Sequence, residues 1–312
     1  MVTKPPGESF KSELPPMTED ERLLARDLRA HVDVLARDIG ERNLRKPDAL
    51  NNAADYLTRF LKDQGYDVHA QEYRVQGKPV KNLEATILGG SKKDEIVVVG
   101  AHYDSVPNCP GANDNGTGVA SVLEMARAFK AAKSERTIRF LLFVNEEPPY
   151  FQTEQMGSIV YGKACKARGD KIVAMISMET IGCYSDEPGS QNYPPPFDQF
   201  FPGTGNFIGF ASNPQSKQLL FDVVSSFRRH TKFPSEGVAT SPDIPGIGWS
   251  DHWSFWQVGY PAVMVTDTAP FRYKHYHEPT DTPDKIDFDR TARVVAGMVR
   301  VVGELSGAAV RE

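Results

Sequence analysis

The chain has 312 residues, of which 40% are apolar and 25% are charged, and its formal net charge is −5. This composition is typical of a folded globular protein, and without a dense Lys/Arg cluster it predicts no nucleic-acid binding. Large α/β domains reach this length, and no Pro/Ser-rich linker divides the chain. We therefore expect an extended N-terminal segment over residues 1–17 and a single domain over residues 18–312.

Cysteine content and apolar runs bear on the redox and membrane classes. The three cysteines, Cys109, Cys165 and Cys183, have the spacing of neither a zinc ribbon nor a redox pair, and their odd number leaves at least one thiol without an intrachain partner. Residues 1–17 lack the apolar core of a signal peptide, and no run approaches ~20 apolar residues, so no transmembrane segment is predicted. The sequence leaves the cellular location open, including export.

The predicted helices and strands alternate along the chain. Thr18 and Glu21 make a capping box at the start of the first helix. Apolar residues then recur at helical spacing or in short β-branched runs. These patterns predict helices over 18–39, 49–64, 119–129, 157–166, 216–230 and 288–305, and strands over 67–75, 82–88, 96–99, 138–145, 173–178 and 262–265. Such alternation indicates an α/β fold with three α/β/α layers and a mainly parallel mixed sheet, in which the first two strands lie at an edge.

The stretch from Glu95 to Gly118 joins a buried strand to polar residues that suit a metal. His102 and Asp104 follow the apolar run 96–99, and a Pro/Gly-rich loop then leads to Asp114 and a helix. In open α/β sheets, functional residues collect beyond the carboxyl ends of strands. An imidazole and a carboxylate there suit a divalent metal. Alone, however, such a histidine is more often structural, and Asp-Asn-Gly is more often a turn or helix cap.

Three further apolar runs end in acidic residues or lead to histidines. Because carboxylates rarely adjoin core strands unless they are paired, four such runs indicate one shared site. The residues are Glu146 and Glu147 after 138–145, Glu179 after 173–178, and His275, Tyr276 and His277 in the loop after 262–265.

With these stretches together, the sequence resembles the M28 family of co-catalytic zinc aminopeptidases. The resemblance covers the chain from about residue 30 to its end and implies a zinc-exopeptidase-like fold. It also implies an activity, the removal of N-terminal residues from peptides with a free N-terminus. The matching segments are IGERN at 39–43, AHYDS at 101–105, GANDNGTG at 111–118, NEEPP at 145–149, MISMETIG at 175–182, SDHWSF at 250–255 and HYHEPTDTPDKID at 275–287.

The resemblance implies two Zn²⁺ ions that share one bridging carboxylate. Asp114 would be the bridge; His102 and Glu179 would complete one zinc site, and Glu147 and His277 the other. Glu179 stands where many relatives have Asp, and its longer side chain still offers a carboxylate. Oxygen and nitrogen ligands suit zinc and could also take cobalt or manganese.

The resemblance also implies roles around the metals. Glu146 would be the general base, and Tyr276 would donate to the tetrahedral oxyanion. Asp104 would accept a proton from His102 and orient its ring. A non-prolyl cis peptide is expected after Asp114, at the bond to Asn115.

Several residues have predicted roles outside the ligand set. Long loops such as segment 183–207 are usually functional or disordered. Because this one leaves a strand end that carries a candidate ligand, we expect a pocket wall, with an exposed excursion as the alternative. Tyr150 and Phe151 are candidates for a specificity pocket. Trp253 and Trp256 are more consistent with core packing, while Arg272, Asp251 and His252 fall in motifs of the site where a structural role is at least as consistent.

Two alternatives share the predicted fold. A glutaminyl cyclase would work with one zinc, and a non-catalytic binding module would have lost ligands, whereas all five ligand positions are retained here. The chain has neither the G-x-S-x-G motif of serine hydrolases nor the HExxH motif of other metalloproteases.

Overall fold

The computed structural model describes residues 2–309. Met1 and residues 310–312, the outer ends of the predicted segment and domain, lie outside the described residues. Across the described chain, eight strands form one mixed sheet in the order β1-β2-β4-β3-β5-β8-β6-β7. The strands are β1 (Val68–Val75), β2 (Lys78–Ile87), β3 (Lys92–His102), β4 (Arg136–Phe143), β5 (Lys171–Glu179), β6 (Ile208–Ser212), β7 (Ser235–Ala239) and β8 (Ala262–Thr266).

Helices cover both faces of this sheet. The alternation of buried residues along β3 shows the two layers, because Val97 and Val99 join the larger apolar core while Ile96 and Val98 join a second one. Helices α1, α2, α3, α5 and α8 contribute to the larger core, and α4 and α6 to the second. The predicted three-layer α/β fold is confirmed. The helices are α1 (Glu19–Val32), α2 (Pro47–Asp63), α3 (Gly118–Phe129), α4 (Gly157–Arg168), α5 (Lys217–His230), α6 (His252–Gln257), α7 (Ala269–Arg272) and α8 (Phe288–Ser306).

The central strands run in parallel and so bring their carboxyl ends to one edge. β4, β3, β5 and β8 are parallel neighbours, whereas β1, β2 and β6 join the sheet through antiparallel pairs. Since the polar residues predicted for the site follow β3, β4, β5 and β8, they meet at this edge. Within residues 2–309, no helix is long and apolar enough to cross a membrane.

The edge regions differ from the prediction. β2 is not an edge strand, because it pairs with both β1 and β4. Pro79 lies inside β2, opposite Arg74, and does not end it; a proline is tolerated near the start of a strand.

The helix predicted to reach Ile39 is α-helical only to Val32 and continues as a π-helical stretch, Asp33–Ile39. β6 and β7 were not predicted, because five-residue strands that contain glycine carry little periodic signal.

Candidate metal centre

Asp114 lies between two histidines and directs one carboxylate oxygen to each. Its Oδ1 is 3.4 Å from His102 Nε2, and its Oδ2 is 3.0 Å from His277 Nε2. Each histidine also faces a glutamate: Glu179 Oε2 is 3.3 Å from His102 Nε2, and Glu147 Oε2 is 3.2 Å from His277 Nε2. The structure thus brings together all five predicted ligands as two histidine–glutamate pairs on either side of one carboxylate.

Buried polar atoms in this cluster have no hydrogen-bond partner. They include both ring nitrogens of His102, Nε2 of His277, Oδ1 of Asp114 and Oε1 of Glu147. Such atoms are normally hydrogen-bonded in folded proteins, and one left unsatisfied is unfavourable. One ligand atom from each of His102, Asp114 and Glu147 lies within 4.8 Å of the others. The donor set therefore fits a divalent cation.

The protonation equilibria of the cluster reflect an excess of buried negative charge. Burial disfavours the charged form of His102, but Glu146 and its neighbouring carboxylates outweigh burial and raise the His102 pKa well above its ordinary value. Burial also disfavours the charged form of His277, but Asp114 and Glu147 outweigh burial and raise the His277 pKa to about 10. Burial, with Asp114 adding to it, raises the pKa of Glu147 to about 8. A bound metal would supply the positive charge that this cluster requires.

Asp104 has a different partner from the one predicted. Its Oδ1 is 3.6 Å from His102 Nδ1, which is too long for a hydrogen bond, so the expected orienting contact is absent. Instead, Oδ1 accepts from the backbone N–H of Glu146 and Oδ2 from that of Glu147, each at 3.1 Å. Asp104 therefore fixes the backbone that carries the two glutamates.

Asp281 holds the loop of Asp114 in the same way. Its two oxygens accept from the backbone N–H groups of Asn113 and Asp114, at 2.8 and 3.1 Å, and the hydroxyl of Tyr273 donates to it at 2.7 Å. Burial raises the Asp281 pKa to about 6. The bond from Asp114 to Asn115 is cis, as the resemblance implied. We did not predict the role of Asp281, and its position in the last family motif was the available signal.

Glu179 is held by two polar side chains. Ser250 Oγ donates to its Oε2 at 2.6 Å, and Asn115 Nδ2 donates to the same oxygen at 3.3 Å. The neighbouring His252 is fully buried, donates from Nε2 to the carbonyl of Ile247 at 2.7 Å, and so has a structural role. Sequence reasoning missed Ser250, although it opens the SDHWSF motif.

An apolar cavity opens beside Glu179. Segment 183–207 contributes Tyr193, Phe197 and Phe201 to its lining, so the predicted pocket wall is confirmed. Arg272 fixes this segment, because Nη1 donates to the carbonyls of Cys183 and Phe207 at 3.1 and 2.8 Å.

The aromatic residues with predicted roles near this site differ in their outcome. Tyr150 and Phe151 are not among the residues that line this cavity, so their role in a specificity pocket stays a prediction. Trp256, as expected, has a packing role, and its Nε1 donates to the carbonyl of Ala262 at 3.0 Å.

Tyr276 lies between the cavity and the metal cluster. Its ring stacks on that of His277, with ring centroids 3.9 Å apart and planes inclined by 16°, and it lines the cavity together with Glu179. Burial and the nearby Asp114 raise the Tyr276 pKa above its ordinary value. The hydroxyl therefore remains protonated at neutral pH and can donate a hydrogen bond.

The family assignment follows from comparison with known proteins. The model of peptidase family M28 matches residues 82–302 of this chain. The chain belongs to peptidase family M28. Among sequence relatives of this M28 chain, protein YfbL of Escherichia coli, described as uncharacterized, is 33% identical over 87% of this chain and 85% of its own length. Aminopeptidase YwaD of Bacillus subtilis is 29% identical over 71% of this chain. The matched region covers only 42% of that relative's length.

Solved structures with the same fold include two enzyme classes. A zinc aminopeptidase from Bacillus subtilis superposes with a TM-score of 0.74 at 15% identity, over 96% of this M28 chain and 97% of its own. A glutaminyl cyclase from Fimbriiglobus ruber superposes with a TM-score of 0.67 at 20% identity, over 95% of this chain and 98% of its own. At these identities the likeness shows the fold alone.

Proposed function

We propose that this M28 peptidase is a di-zinc aminopeptidase that removes N-terminal residues from peptides. One observation carries the proposal: the two oxygens of Asp114 face two separate histidines, each paired with its own glutamate. A carboxylate with both oxygens so directed is suited to bridge two ions. Zinc aminopeptidases among the solved structures of this fold, and relatives named aminopeptidases, support the same function.

The five clustered residues would hold the two ions. His102 and Glu179 would bind one, Glu147 and His277 the other, and Asp114 both. When bound, the ions would acidify a water molecule and polarise the carbonyl of the scissile peptide bond.

Glu146 would act as the general base. It lies beside the ligand Glu147 in the sequence, and its Oε2 is 3.7 Å from His102 Nε2, so its carboxylate reaches the metal cluster. Burial raises its pKa well above the ordinary value, with the neighbouring Glu147 adding to the effect. A carboxylate with a raised pKa accepts a proton from the attacking water more readily near neutral pH.

Tyr276 would stabilise the charge that develops on the carbonyl oxygen. Tyr276 lines the cavity and stacks on His277 of the cluster, and a hydrogen bond from its protonated hydroxyl to that oxygen would favour the transition state over the ground state. The ring stack with His277 fixes its orientation.

The glutaminyl cyclase alternative is less well supported. A single zinc would leave one histidine–glutamate pair beside Asp114 without a ligand to bind, whereas both pairs are present. A non-catalytic module would need neither a complete ligand set nor a buried Glu146.

A panel of matched peptides tests the proposal. The peptides carry a free N-terminus, an N-acetyl group or an N-terminal glutamine, and each is incubated with the zinc-loaded protein. We expect release of the first residue from free peptides and nearly complete loss of cleavage after acetylation. Equal cleavage of blocked peptides, or conversion of glutaminyl peptides to pyroglutamyl products without hydrolysis, would contradict the proposal.

A further inference from the structure

A row of residues crosses the sheet from the metal cluster to its far edge. Glu179 in β5 pairs with Thr266 in β8, Thr266 pairs with Gly209 in β6, and Gly209 pairs with Glu236 in β7. Register partners direct their side chains to the same face of a sheet. Since neighbouring strands lie about 4.8 Å apart, the backbones of Glu179 and Glu236 are about 14 Å apart.

This row forms part of the lining of the apolar cavity. All four of its residues line the cavity, and Gly209, without a side chain, leaves the middle of the row open. Glu236 and Val238 alternate with Gly237 along β7 and so share one face. Val238 packs with Phe197 and Met264 in an apolar cluster that also borders the cavity. The Glu236 side chain therefore lies on the cavity side of β7, opposite the metal end.

The Glu236 carboxylate has no ion-pair partner among residues 2–309, and its neighbouring cations are engaged elsewhere. Lys4 donates to the carbonyl of Phe200 and lies 4.2 Å from the ring centroid of Phe201. Arg228 donates to backbone carbonyls, including that of Ser235 at 2.9 Å. Lys11 pairs with Glu8. Burial raises the pKa of Glu236, as expected for a carboxylate that these cations compensate incompletely.

We propose that Glu236 is a specificity-determining residue that selects peptides whose first residue is lysine or arginine. This inference rests on the proposed aminopeptidase function. The apolar walls would pack against the methylene stem of such a side chain, as they do for other long cationic side chains. The cationic head would then reach Glu236. There it would donate a charge-assisted hydrogen bond to the carboxylate, whose negative charge the nearby cations balance only in part. The backbones of Glu179 and Glu236 are about 14 Å apart. The side chains of Glu179 and Glu236 and the substrate side chain between them would together span this distance.

Lysine and norleucine form the matched substrate pair for a test, because they share the linear stem and differ in the ammonium group. We expect the wild-type enzyme to cleave lysyl-4-nitroanilide at least as efficiently as norleucyl-4-nitroanilide. Glu236→Gln should lower the lysyl-to-norleucyl ratio of kcat/KM roughly 10-fold, since it loses a hydrogen bond between charged groups. The norleucyl substrate is the internal reference, because its neutral side chain makes no ionic contact with Glu236.

Two controls separate the outcomes. Glu72→Gln makes the same charge change at an exposed position of the opposite edge strand and should leave the ratio unchanged. Calorimetric binding of the free amino acids lysine and norleucine, which contain no bond for the enzyme to hydrolyse, should show the same loss of discrimination in Glu236→Gln. Efficient cleavage of norleucyl substrate with an unchanged ratio in Glu236→Gln would overturn the role of Glu236 alone. Failure to cleave any substrate with a free N-terminus would overturn the proposed function as well.

Discussion

The Asp104 carboxylate accepts a hydrogen bond from the backbone N–H of Glu147 at 3.1 Å, while its other oxygen binds the N–H of Glu146. Asp281 binds two consecutive N–H groups at the loop of Asp114 in the same manner. Two buried carboxylates thus fix the two bends that carry Asp114, Glu146 and Glu147.

Replacement of Asp104 by asparagine tests this support. The amide keeps one acceptor but turns an NH₂ group towards the second backbone N–H, so the bend that carries Glu147 should loosen. We expect zinc affinity to fall roughly 10–100-fold, the usual effect of losing a group that supports metal ligands. The measurement is competition with a chelator, with exposed Asp63→Asn as the control. An Asp104→Asn protein with wild-type zinc affinity would show that Asp104 is only a turn former.

The roles of Glu146 and Glu147 are separable by paired substitutions. Glu146→Gln keeps the shape of the side chain but cannot take a proton from the attacking water. Its kcat should fall about 10²–10⁴-fold with little change in KM and with metal content unchanged. Glu147→Gln should weaken one zinc site, because a neutral amide is a poorer ligand than a carboxylate. Zinc content and kcat are measured on both proteins; loss of zinc in Glu146→Gln but not in Glu147→Gln would mean that the two roles are exchanged.

Because His252 is buried in its neutral form, we expect the folded protein to lose stability in acid. Burial lowers its folded-state pKa from 6.5 to about 4, so between these values the unfolded chain binds a proton that the folded protein does not. This contribution is fully present above pH 6.5 and is lost as the pH falls towards 4, by about 3 kcal/mol. His252→Gln, whose amide can still donate to the Ile247 carbonyl, should lack it. Urea unfolding from pH 7 to 4 should therefore show a smaller decline in the variant; parallel curves would contradict the assignment.

The family resemblance implied the five ligand positions, and the apolar runs that precede them predict that these positions meet in the fold. Parallel strands bring such positions to one edge, and the structure places His102, Asp114, Glu147, Glu179 and His277 together there.

Contacts that depend on tertiary packing could not be predicted in the same way. The family resemblance assigned Asp104 to His102, yet its hydrogen-bond partners, the backbone N–H groups of Glu146 and Glu147, lie more than forty residues further along the chain. The row from Glu179 to Glu236 could not be predicted either. β6 and β7 carry little periodic signal, and their register with β8 arises only in the folded sheet. Glu236 therefore has no motif to mark it.

Zinc titration of the metal-free protein tests the central claim most directly. Because Asp114 faces two complete histidine–glutamate pairs, we expect about two zinc equivalents to bind per chain, with peptide hydrolysis appearing as they bind and disappearing on chelation. The measurement is bound zinc per chain by elemental analysis after removal of free metal. Saturation at a single equivalent, with full activity at that point, would contradict a di-zinc aminopeptidase.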